Sequence, residues 1–169
     1  MANTMVKIQT ITVGASPAAS INFTNIPQTF TDLKLVVSGR SNFASNETNV
    51  SISFNSSSSN FTGRLLEGSG SGAASYSRTD NLNIFIIPAA SSTSSVFGNA
   101  EIYIPNYTSS VNKSFSVEGS AENNGTQAFQ KLHAGLWSNS AAITAVTVTS
   151  QNGNFVQFSS ATLYGIKKA

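Results

Sequence analysis

The chain has 169 residues, and only 9% of them are charged. The soluble-protein norm is about 25%. Ser, Asn and Thr supply 29, 18 and 16 residues, so small neutral polar side chains dominate. Abundant Phe with little charge excludes a charged disordered tail, and scarce Leu, Glu and Lys exclude a long coiled coil.

The length suits one domain, able to bury roughly 70% of its unfolded surface without staples. Cysteine is absent, which removes thiol chemistry, Cys-based metal sites and disulfides. Nine Lys/Arg against seven Asp/Glu leave a net charge of +2. The basic residues are scattered and form no stripe that would track a phosphate backbone, so no nucleic-acid partner is expected. No run approaches the ~18 apolar residues of a membrane span, and no membrane partner is expected. Residues 1–20 lack the apolar core of a signal peptide. With the start at Met1, they read as an unprocessed product made in a cytoplasm.

In chain order, period-two alternation dominates, as in half-buried strands. It runs through Val6–Val13 with a slip at Thr10, then Ile21–Phe23. Leu33–Val37 is more continuous, as a central strand would be. Val50–Phe54, Ile102–Ile104 and Phe115–Glu118 alternate cleanly. Gln127–Trp137 fits a strand at least as well as a helix. Ile143–Thr149 and Phe155–Ile166 are rich in residues that suit a pleated surface. The Asn152-Gly153 turn signal between these two runs predicts a hairpin. Asn55–Asn60, Gly68–Gly72, Pro88–Ser95 and Asn123–Gly125 read as loops. No window shows the spacing of an amphipathic helix. Nine to eleven strands are expected, in an all-β chain. Residues 1–24 read as an N-terminal arm or first strands, and 25–169 as a β-sandwich body.

Residues with catalytic potential are few. His133 is the single histidine, too few for a multi-His metal site. Its alternation partners are Lys131 and Gly135, with Leu132, Ala134 and Leu136 on the other face, so it reads as a partly exposed strand residue. No Gly-x-Ser-x-Gly elbow accompanies it. Glu118 and Glu122 would share a face on one unbroken strand, the type of pair used in glycoside hydrolysis. Solvated strand faces commonly produce such pairs. The sequons at Asn22, Asn49, Asn60 and Asn124 follow from composition. No metal or cofactor is expected, and the chain does not read as an enzyme. Tyr103, Tyr107 and Trp137 read first as core or edge packing; they are also candidate subunit or ligand contacts, because aromatics beside Asn anchor interfaces or stack on sugars.

The segment Phe97-Gly98-Asn99-Ala100-Glu101-Ile102-Tyr103-Ile104-Pro105-Asn106-Tyr107 resembles a group of tailed-bacteriophage virion proteins of marine and cyanobacterial phages. The likeness includes Phe30–Ser38, Asn112–Ser114, Glu122–Asn124, Gly135–Trp137, Ala142–Thr144, Asn154–Gln157 and the ending Ala161-Thr162-Leu163-Tyr164-Gly165-Ile166-Lys167. It implies a virion structural protein with a β-sandwich of jelly-roll type, assembled in the host cytoplasm, and it carries no catalytic motif. The leading expectation is a capsid decoration (cement) protein, with the major capsid protein and its own copies, as a homotrimer, for partners. Residues 1–24 would help dock it. The alternative is a tail-fibre or receptor-binding module that holds host glycans. Edge strands are usually protected by charge, and this chain has little, so its edges are expected to be covered by neighbours.

Overall fold

A computed structural model describes residues 4–81, 83–125 and 128–167. Among the described residues twelve strands run in the order β1 (Met5–Thr12), β2 (Ser20–Phe23), β3 (Asp32–Gly39), β4 (Glu47–Phe54), β5 (Phe61–Gly68), β6 (Ala73–Arg78), β7 (Phe85–Pro88), β8 (Gly98–Ile104), β9 (Lys113–Ala121), β10 (Phe129–Trp137), β11 (Val146–Ser150) and β12 (Ser160–Ile166). There is no helix among the described residues. The fold is all-β, two antiparallel sheets packed as a sandwich; β1 to β5 alternate between them, whereas β5-β6 and β8-β9-β10 continue within one sheet. The large sheet has the order β1-β12-β3-β8-β9-β10-β5-β6, and the small one β2-β11-β4-β7.

β3 is central, as its apolar run predicts, between β12 and β8. Leu33, Leu35 and Val37 face inward and are buried. β1 pairs with β12 and contains a bulge between Lys7 and Gln9, near the slip in its alternation. β2 lies in the small sheet on β11. Residues 5–12 and 20–23 are thus strands of the two sheets.

The predicted hairpin at Asn152-Gly153 does not form. β11 pairs with β2 and β4, whereas β12 pairs with β1 and β3 in the other sheet. The physical reason lies between them. Buried Phe155 bridges to Ala18 and Ser41, and the Asn154 amide donates to Asn42 Oδ1 at 2.8 Å. These contacts carry the chain across the sandwich. Gly153 has φ +67°, and an added Cβ would lie 2.7 Å from the Phe43 nitrogen. The Asn-Gly signal therefore marks a crossover turn.

Among the described residues six asparagines, at 25, 55, 60, 83, 106 and 124, have positive φ. Asn tolerates this left-handed region better than most residues. Asn55 also accepts hydrogen bonds at Oδ1 from the backbone amides of Thr144 and Ala145, at 2.8 and 3.1 Å. Part of the high Asn content is therefore turn chemistry.

The core under β5, β9 and β10 is a ring cluster. Phe54 lies 5.6, 5.5 and 5.6 Å from the rings of Phe61, Phe115 and Trp137. Backbone without side chains makes room for it. A Cβ on Gly135 would sit 2.1 Å from Phe115 Cζ. Gly135→Ala should therefore overpack the core and cost about 1–3 kcal/mol. The check is a urea unfolding curve, with a lower midpoint and an unchanged slope.

Candidate functional site

The outward face of the large sheet carries a concave groove of about 800 Å³. Strand register defines its rows. Across one row lie Tyr103 on β8, Ser116 on β9, Ala134 on β10 and Arg64 on β5. The adjacent row holds Glu101, Glu118, Leu132 and Leu66 in the same strand order. Met5 and Ile166, themselves paired, close one end. Leu66 and Leu132 are 52% and 48% exposed, so two leucines side by side meet water. Lys34 Nζ pairs with Glu101 Oε2 at 2.7 Å on the rim. Glu101 stands directly opposite Glu118. Like charges so placed repel, and Lys34 offsets part of that repulsion.

The inward side of the same strands carries charge. Lys131 is buried, its Nζ 3.0 Å from Glu67 Oε2 and donating to Asn49 Oδ1 at 3.0 Å. Burial lowers the Lys131 pKa, against the opposing pull of Glu67. His133 is buried beside it and stacks on Phe115, ring centroids 6.0 Å apart. The expectation of a partly exposed His133 is corrected, and the parity of β10 is the reason. Trp137 shares parity with Lys131, His133 and Gly135, and its burial in the ring cluster turns all four inward. Leu132, Ala134 and Leu136 consequently turn outward. The sequence links the leucines' face to that of Trp137 by parity, and only the seating of Trp137 in the core decides which of the two faces is outward.

Burial pushes the His133 pKa below its ordinary 6.5, aided by repulsion from Lys131 and Arg78, with Asp80 pulling the other way. Among the described residues its Nδ1 has no hydrogen-bond partner, so no nucleophile or carboxylate is set against it there. No group of three or more His, Asp and Glu among the described residues is placed to hold a metal.

The three aromatic candidates separate. Tyr103 is 40% exposed, lines the groove, and donates to Asp32 Oδ2 at 2.8 Å. That hydrogen bond, with burial and the Asp32 charge, raises its pKa. Tyr107 and Trp137 are buried and present no surface to a partner, which corrects their assignment as contacts. The Tyr107 hydroxyl donates to the Pro27 carbonyl, and Trp137 stacks on Phe61 at 6.1 Å. Both are core residues, because the sheets close over them. Glu118 and Glu122 do not share a face, since β9 ends at Ala121. Glu122 instead accepts the Asn124 amide at 2.7 Å in the following turn.

No family model matches the chain, and no curated protein does. Among solved structures it is similar to the galectin LEC-6 of Caenorhabditis elegans, 12% identical, covering 91% of this chain and 94% of that one, with a TM-score of 0.35.

The unfolded chain protonates His133 before the folded one does, because the folded pKa is the lower. Its contribution to stability is therefore complete above about 6.5 and is lost as pH falls through that value toward the folded pKa. Urea midpoints should decline over this window, and His133→Gln should flatten the decline.

Proposed function

We propose that the chain is a virion structural protein of a tailed phage that decorates the head shell and docks through the outward groove of its large sheet. The observation that carries this reading is the pair of exposed leucines, Leu66 and Leu132, set above an interior that holds Lys131 and His133. Contiguous exposed apolar surface marks an interaction site. The family resemblance supplies the particle, and the low charge suits a surface covered by neighbours. Binding only to the assembled shell stabilises that shell by mass action.

The glycan-binding tail module is the second reading. Tyr103, Arg64, Glu101 and Glu118 favour it, since they set an aromatic ring and hydrogen-bonding groups along one groove. The N-terminal strands β1 and β2 would act in docking, if at all, as strands of the two sheets.

Leu66→Glu places a carboxylate where the shell would bury it, opposite Leu132 and Ser75 and not opposite another carboxylate. Burying an unpaired charge costs well over the 1.4 kcal/mol that corresponds to tenfold in binding. Particle-bound protein should fall at least about tenfold, with thermal stability unchanged. The measurement is quantitative densitometry of purified virions. Unchanged incorporation, or a copy number matching the tail instead of the shell, defeats decoration. Host-polysaccharide binding lost on Tyr103→Ala would favour the tail module.

A further inference from the structure

The two sheets have four edge strands, β1 and β6 on the large sheet, β2 and β7 on the small one. Edges carry unpaired backbone donors and acceptors, and proteins guard them with bulges, charge, Pro, shortness or cover. β1 has a bulge next to Lys7. β2 has only four residues. β7 is short, buried along its length, and ends at Pro88. β6 has none of these along its middle. It reads Ala73-Ala74-Ser75-Tyr76-Ser77-Arg78, is paired without a bulge to β5, and is charged only at its last residue. Among the described residues no strand lies on its other side. Tyr76 stands there 43% exposed.

We propose that β6 pairs antiparallel with β6 of a second copy, with Tyr76 of each copy at the twofold axis, so that one sheet continues through both. The register follows from faces and charge. Tyr76 pairs with inward Leu65, Ala74 with Glu67 and Arg78 with Gly63, so Ala74, Tyr76 and Arg78 share the inward face. A continuous sheet keeps inward residues opposite inward residues. Tyr76 opposite itself sets Ala74 opposite Arg78 of the other copy. The cross-sheet row then reads Lys131, Glu67, Ala74 and the second copy's Arg78. The cation meets the row of the opposing carboxylate, separated from it by one alanine, and this occurs twice by symmetry. The two tyrosines form a cross-strand aromatic pair at the centre, a favourable unit of sheet pairing. A register centred on Ser75 would instead set Ala74 opposite Tyr76 and leave Arg78 beyond the row of Glu67. Such an isologous contact closes on itself and does not grow into fibres. It is independent of what the outward groove docks on.

Sedimentation of the purified chain tests this directly. The expected mass is twice that of one chain, and Tyr76→Lys, which sets two cations at the axis, should give a folded monomer whose circular dichroism spectrum matches that of the natural chain. A second variant guards against a folding defect. The natural chain has no cysteine, so Tyr76→Cys gives one thiol per copy. Opposite residues on antiparallel strands have Cα atoms about 4.5–5.5 Å apart, within disulfide range. Tyr76→Cys should therefore form a disulfide dimer on oxidation. Ser75→Cys should not, because residue 75 faces residue 77. The proposal is overturned if the natural chain is a monomer or trimer at every concentration, if Tyr76→Lys stays dimeric, or if Ser75→Cys cross-links as readily as Tyr76→Cys.

Discussion

The packing of Phe54, Phe61, Phe115 and Trp137 against glycine backbone is the constraint from which the rest of the molecule follows. Aromatic rings bury large areas and prefer tilted and edge contacts over flat stacking, and three of these pairs are steeply inclined. Phe115 fits only because Gly135 leaves the inner surface of β10 bare, and Gly119 on β9 does the same for Phe85 of the small sheet. A Cβ on Gly119 would stand 2.5 Å from Phe85 Cβ. Once Trp137 is seated, the parity of β10 is settled for nine residues. Register then transmits that parity to β5 and β9 on either side.

One consequence is an exchange of polarity across this end of the large sheet. Lys131 and His133 go inside, where Glu67 and Asn49 meet the ammonium group. A buried cation left unpaired would be far more costly, so the Glu67 contact is a condition of the arrangement. Leu66 and Leu132 go outside and floor the groove. The same parity, passed through β5, puts Tyr76 of β6 on the inward face, and it is exposed because no strand follows β6 among the described residues.

Elsewhere the sandwich is held by polar side chains that act on backbone. The Arg40 guanidinium donates to the carbonyls of Ser92, Thr93 and Val96 at 2.7–3.1 Å, tying one end of β3 to the loop before β8. Burial lowers its pKa. Lys113 is buried and donates to the carbonyls of Ser109, Val111 and Ser140. In a chain with so little charge, these cations secure loops at the sandwich ends.

Alternation and composition by themselves determined the all-β class, the central place of Leu33–Val37 and the irregularity in Val6–Val13, because these depend on near neighbours in the chain. Low charge, too, was legible as strand faces covered by Ser, Thr and Asn. Tertiary structure decided which parity of Lys131–Trp137 faces inward, since apolar residues occupy both parities and only the seating of Trp137 separates them. It also decided that Asn152-Gly153 crosses between sheets, because Phe155 binds to distant Ala18 and Ser41. Tyr107 and Trp137 went to the core and Tyr103 to the groove for the same reason. A local pattern shows that a side chain lies on a face, and only packing against remote strands determines which face is covered.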